Sequence, residues 1–284
     1  MPFTWSTSSV IGIGCKGTKV YRGQLTSNGQ EVAVKKMYKG VFDMGEAEKL
    51  RRCKHPNIIR CFATQEEEDF FYLALELGEK TLKVCINENR FDPLFGDLSI
   101  EKCFVEVAKG VAYLHNNNIC HRDIKPDNIL LMAKNDEYSF HRFVLADLNC
   151  ARDVPNGETI SSISTVGTRG WMAPEMCGVG CRRTLKVDIF SLGCVYYYTV
   201  TKKHPYGGDG ETTICQNNIN KKQSPSNYIK HFPNYIGISE LLLRMVHADV
   251  EKRPSASEVL EHLLSPNKQK VKSILNRLYS VLAE

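Results

Sequence analysis

Eight consecutive residues constrain this chain more than anything else in it: His121-Arg122-Asp123-Ile124-Lys125-Pro126-Asp127-Asn128. The block sets a carboxylate, a cation and a carboxamide at fixed spacing. Phosphoryl transfer needs those groups, because that reaction asks a protein mostly for positioning and charge stabilisation. Asp123 can orient a hydroxyl and accept its proton. Lys125 can steady a γ-phosphate, and Asn128 can hold a magnesium ion through its carbonyl oxygen.

Other motifs fall into order around this block. Gly12-x-Gly14-x-x-Gly17 lies between two predicted strands, where a backbone without side chains can approach phosphates. Dinucleotide sites share the spacing but place it before a helix. Val20 would then cover an adenine ring. Val32-Ala33-Val34-Lys35 follows one strand later, and its lysine is a point charge for α- and β-phosphates that needs a carboxylate to hold it. Glu46 is the expected partner and Glu48 the rival. After a strand from Phe143 to Ala146, Asp147-Leu148-Asn149 supplies a carboxylate for a second magnesium position. Gly167 to Glu175 closes the segment, with Glu175 expected to pair with Arg253. Asp188 is expected to hold the catalytic loop from behind.

The pattern changes along the chain. The first quarter alternates short apolar runs with turn signals such as Ser27-Asn28-Gly29. It contains a strand beginning near Val10, a helix from Glu46 to Arg52 and a buried strand from Phe70 to Leu75. Beyond Glu76-Leu77-Gly78, apolar residues recur at helical spacing through Val105, Ala108, Val111 and Leu114. These signs predict an α+β chain with a small sheet-rich lobe over residues 1–75 and a hinge at 76–78. A larger, mostly helical lobe over 79–266 and a C-terminal helix over 267–284 complete it.

Composition excludes several alternatives. A net charge of +5 over 284 residues is too small to argue for nucleic acid. Eleven cysteines without a C-x-x-C pair argue for thiols in a reducing compartment and against zinc. Neither a signal peptide nor an apolar run of about 18 residues is present, so the chain reads as cytoplasmic in character.

With these blocks in sequence, the chain resembles the eukaryotic protein kinase family from about Val10 to Leu264. The resemblance implies a two-lobed fold with ATP and Mg2+ bound between the lobes. It places Gly12, Gly14, Gly17, Val20, Ala33, Lys35, Glu46, Leu75, Glu76 and Gly78 around the nucleotide. Leu75 would be the gatekeeper, and Glu76 to Gly78 would carry the adenine hydrogen bonds. Asp123 and Lys125 would be catalytic, and Asn128 and Asp147 would hold metal. Lys125-Pro126 beside His121-Arg122-Asp123 is similar to the serine/threonine branch.

Several stretches resemble one branch, the unfolded-protein-response sensor kinase-endoribonucleases of the inositol-requiring-enzyme type. They include Gly17 to Gly23, His55 to Arg60, Gly170 to Glu175 and Asp188 to Tyr198. In that branch a ribonuclease domain follows the kinase, and the expectation for a chain reaching Glu284 is no ribonuclease activity. This would be the cytosolic part of a membrane-anchored relative. The expected partners are a protein substrate, the chain itself included, and a second copy in a homodimer. Autophosphorylation is expected at Ser161, Ser162, Ser164 or Thr165, with Arg122 pairing the phosphate. One departure stands out: Asn149 occupies a position where the family carries glycine, and asparagine is the next best tolerated residue at positive φ. The alternative reading is a pseudokinase, whose nucleotide pocket switches a partner.

Overall fold

The computed structural model describes residues 1–14, 17–40, 45–91, 98–135, 137–155, 166–177, 184–207 and 238–265. The loop hydroxyls from Thr159 to Thr165 and the helix expected over 267–284 lie outside them.

The N-terminal part is one antiparallel sheet of β1 (Phe3–Ile13), β2 (Lys19–Leu25), β3 (Glu31–Tyr38), β4 (Cys61–Glu66) and β5 (Phe70–Glu76), in the order β1-β2-β3-β5-β4. Gly29 sits at φ +72° and closes the β2–β3 hairpin, its N–H donating to Leu25 O. Helix α1 (Gly45–Arg52) is amphipathic and buries Glu46, Ala47 and Leu50. Its first turn carries Glu46 and Glu48 and its last turn Lys49, Arg51 and Arg52, which complements the helix dipole. Strand β1 begins seven residues before the expected Val10. Its Ser6–Ser9 stretch bulges away from the pairing register with β2, so apolar alternation is lost there.

The C-terminal part is mostly helical. Helices α2 (Leu82–Asn87), α3 (Ile100–Asn116), α4 (Pro174–Cys177), α5 (Lys186–Thr201), α6 (Ile238–Met245) and α7 (Ala256–Leu264) surround short strand pairs. Helix α3 starts at Ser99, whose hydroxyl accepts from Lys102 N, and buries Phe104, Val107, Val111 and Leu114. Helix α5 is buried on nearly every side, as befits the helix at the centre of this part. Tyr196 of α5 stacks on Phe104 of α3 with centroids 3.9 Å apart. Strands β6 (Lys80–Thr81), β8 (Ile129–Met132) and β9 (Arg142–Leu145) form one small sheet, and β7 (Ile119–Cys120) pairs with β10 (Arg152–Asp153). The described helices include none long and apolar enough to cross a membrane.

One apolar core joins both parts, running from Leu50 and Leu73 to Leu114, Phe143, Leu145 and Leu148. Ile59 N donates to Leu145 O, and Leu145 N donates to Asn57 O. The β9 end is thereby tied to the segment between α1 and β4, and Asp147 emerges from this junction.

Candidate active site

Between the sheet and the helices lies a cleft of about 1080 Å³. Its roof carries Val20 and Ala33, its back wall Leu75, and its floor Leu130. Gly78 packs on that floor, where an added Cβ would stand 3.2 Å from Leu130 Cβ. Glu76 N donates to Arg60 O and Glu79 N to Leu131 O. These bonds fix the connector on both sides of Leu77 and Gly78, which line the cleft. The Glu76 carboxylate turns away to pair with Arg142.

Strand β3 brings Lys35 into the cleft and α1 brings Glu46 beneath it. Lys35 Nζ donates to Glu46 Oε1 and Oε2 at 2.8 and 3.0 Å and to Asp147 Oδ1 at 2.8 Å. Glu48 takes no part. Burial alone would lower the Lys35 pKa, but the two carboxylates overcome it and hold the ammonium above its usual range. Burial also opposes the Asp147 charge, and Lys35 outweighs that to keep this carboxyl below the ordinary range. Glu46 bears the opposite consequence, pushed up by burial despite Lys35.

The segment from His121 to Asn128 crosses the floor. Asp123 Oδ1 accepts from Thr168 N and Thr168 Oγ1 at 2.8 and 2.7 Å. Its Oδ2 lies 3.0 Å from Lys125 Nζ and accepts from Asn128 Nδ2 at 2.9 Å. Lys125 also donates to Thr168 Oγ1 at 2.6 Å, so acid, base and hydroxyl form a closed set. Burial works against the Lys125 charge, but Asp123 raises its pKa above the ordinary value.

Asp188 supports this loop from α5. It accepts from His121 N at 2.7 Å and from Arg122 N at 2.8 Å, and it meets His115 Nε2 at 2.9 Å. Arg122 sits at φ +65°, a conformation uncommon outside glycine, which these bonds hold in place. Its guanidinium donates from Nε to Cys150 O at 2.6 Å. Glu175 and Arg253 form a buried bidentate pair at 2.6 and 2.9 Å behind the site.

Asn149 corrects the expectation built on glycine. It lies in the short 3-10 turn Leu148–Cys150 and is not among the residues of positive φ. That conformation belongs to Asp147, at φ +63°. In this arrangement the position of Asn149 needs no glycine.

A divalent cation fits the two expected ligands. Asn128 spends its amide hydrogens on Asp123 O and Oδ2, at 2.8 and 2.9 Å, which leaves its carbonyl oxygen on the other side of the group. Asp147 lines the cleft with its side chain 32% exposed. No cluster of three or more His, Cys, Asp or Glu gathers as a metal site among the described residues. Two protein ligands are the sparse set magnesium accepts when phosphate oxygens and water complete its shell.

Sequence reasoning missed the Thr168 contact with Asp123 and the Arg142 contact with Glu76. Thr168 carried a signal, since a hydroxyl follows the turn-forming Gly167, found here at φ +119°. Arg142 carried none.

A family model for the protein kinase domain matches residues 5–265, and the chain belongs to that family. Among curated proteins it is similar to the serine/threonine-protein kinase/endoribonuclease ire-1 of Caenorhabditis elegans, 33% identical over 266 residues. That match covers 91% of this chain and 27% of the relative. The human serine/threonine-protein kinase/endoribonuclease IRE2 is also 33% identical, over 91% of this chain and 28% of its own length. A probable serine/threonine-protein kinase, ireA of Dictyostelium discoideum, is 30% identical over 90% of this chain and 28% of its own. The chain thus spans between a quarter and a third of the length of these relatives.

Proposed function

We propose that this chain transfers the γ-phosphate of ATP to serine or threonine hydroxyls of proteins, its own loop included. The observation that carries the reading is the Asp123 carboxylate, fixed on both oxygens by Thr168, Lys125 and Asn128. Those three partners line the cleft together with Lys35 and Asp147, and Lys35 is held by Glu46. The relatives' printed names, which call them serine/threonine-protein kinases, point the same way.

Residues 1–75 act as the upper lobe, 76–78 as the hinge and 79–266 as the lower lobe. Val20, Ala33 and Leu75 enclose the adenine, and the main chain from Glu76 to Gly78 hydrogen-bonds its edge. Gly12, Gly14 and Gly17 bring backbone close to the phosphates. Lys35 contacts the α- and β-phosphates, and Glu46 keeps it extended. Asn128 and Asp147 would hold magnesium, which when bound neutralises charge on the β- and γ-phosphates.

The acceptor hydroxyl approaches Asp123, which orients it and takes its proton. The hydroxyl oxygen forms its bond to the γ-phosphorus as the bond to the bridging oxygen breaks, and ADP leaves. Lys125 stabilises the charge carried by the transferring group. Thr168 keeps Asp123 from rotating out of line. Acceptors among Ser161, Ser162, Ser164 and Thr165 fall in the segment between Asp147 and Glu175.

Intact-mass spectrometry before and after incubation with Mg-ATP tests the self-directed part. Added phosphate that maps to those four residues supports it, and an unchanged mass counts against it.

A further inference from the structure

The hydroxyl of Thr18 is buried without a described partner. Thr18 is 3% exposed, and its Oγ1 has no hydrogen-bond partner among the described residues. A hydroxyl buried that way loses its water contacts without compensation. Such an atom calls for a ligand, and Thr18 lines the cleft beside Gly14.

The glycine-rich signature of kinases places a valine two residues after its third glycine. Here Lys19 holds that spacing and is exposed, whereas Val20 lines the cleft. Side chains alternate along a strand, so Val20 facing inward puts Lys19 outward and returns Thr18 inward. The extra residue thus turns a side chain into the cleft. Gly17, immediately before Thr18, sits at φ +79°, and Gly14 N donates to Thr18 O at 2.8 Å. Gly14 is packed so closely that an added Cβ would lie 3.3 Å from Thr18 Cβ.

Register fixes which part of a nucleotide this hydroxyl meets. Gly23 pairs with Val32, and Val32 pairs with Glu76 at the connector. Val20 pairs with Lys35, and Thr18 stands two residues further from the connector, about 7 Å along the strand. If Val20 covers the base, Thr18 stands on the phosphate side.

We infer that Thr18 Oγ1 donates a hydrogen bond to a phosphate oxygen of the bound nucleotide, making Thr18 a phosphate-binding residue. This rests on the nucleotide reading above. A neutral hydroxyl donating to an anion forms a charge-assisted bond of the stronger kind. Thr18→Val keeps the branched shape and removes only the donor, and Thr18→Ser keeps the donor.

Calorimetric titration with Mg-ADP and with adenosine tests the assignment in wild type and both variants. The expected result is about tenfold weaker Mg-ADP binding by Thr18→Val, with adenosine affinity unchanged and Mg-ADP affinity restored in Thr18→Ser. Unchanged Mg-ADP binding by Thr18→Val overturns the inference. So does an equal loss for ADP and adenosine, which would mark a packing role. Wild type that binds neither ligand brings down the nucleotide reading itself, and the inference with it.

Discussion

Asp147 Oδ1 stands 2.8 Å from Lys35 Nζ, and Glu46 approaches the same ammonium at 2.8 Å from the other side. One cation thus joins β3 and the neighbouring α1 to the end of β9, 112 residues further along the chain. Its position and charge state depend on both carboxylates, and theirs depend on it.

Lys35→Met should abolish measurable transfer and also weaken the fold. Glu46 is 3% exposed, and losing its partner leaves a buried charge worth about 3–5 kcal/mol of destabilisation. Adding Glu46→Gln should recover most of that stability without recovering transfer. Urea unfolding of the single and double variants, beside a phosphate-transfer assay, checks both halves.

The Glu175–Arg253 pair should act as structure alone. Arg253 is 1% exposed and also donates from Nε to His247 O at 2.6 Å. Glu175→Ala should therefore cost about 3–5 kcal/mol in urea unfolding. Arg253→Lys should also be costly, because an ammonium cannot reproduce the bidentate contact. A loss under 1 kcal/mol in both would refute the role.

His204 gives the fold a sensitivity to mild acid. Burial lowers its pKa from 6.5 to about 4. The unfolded chain therefore binds more protons than the folded one between those values, and stability falls as pH drops through that window. The residue should remove about 2 kcal/mol between pH 7 and pH 5. His204→Asn keeps an acceptor for Tyr206 N, which now donates to Nδ1 at 3.2 Å, and does not titrate. Unfolding free energies at the two pH values should differ less in the variant by about that amount.

Asn149→Gly should change little. With Asn149 in a right-handed 3-10 turn, glycine relieves no strain there. Transfer rates should stay within about twofold, and stability should fall by less than about 1 kcal/mol through added backbone freedom. A large gain in rate would mean that the loop passes through a conformation that asparagine resists.

Chemistry concentrated in short blocks was legible before any coordinates. His121 to Asn128 holds an acid, a base and an amide within one stretch, and Val32 to Val34 announces a strand as a short apolar run after the Ser27-Asn28-Gly29 turn signal. Asp188 and the Glu175–Arg253 pair were also anticipated as supports. What escaped depends on distant segments meeting. Thr168 reaches Asp123 across 45 residues, and Arg142 reaches Glu76 across 66. The opening of β1 was hidden because Ser6 to Ser9 offers no apolar alternation, and the bulge there removes the need for one. The Asn149 expectation failed because the unusual backbone angle fell two residues earlier, on Asp147.

The most direct test of the account is transfer of labelled γ-phosphate from Mg-ATP to protein serine or threonine by wild type and by Asp123→Asn. The substitution keeps the size of the side chain and removes its capacity to take a proton. The account predicts labelled wild-type protein or substrate, loss of labelling by at least about 100-fold in the variant, and Mg-ADP binding retained in both. Equal labelling by the two proteins, or none by wild type that still binds Mg-ADP, would contradict it.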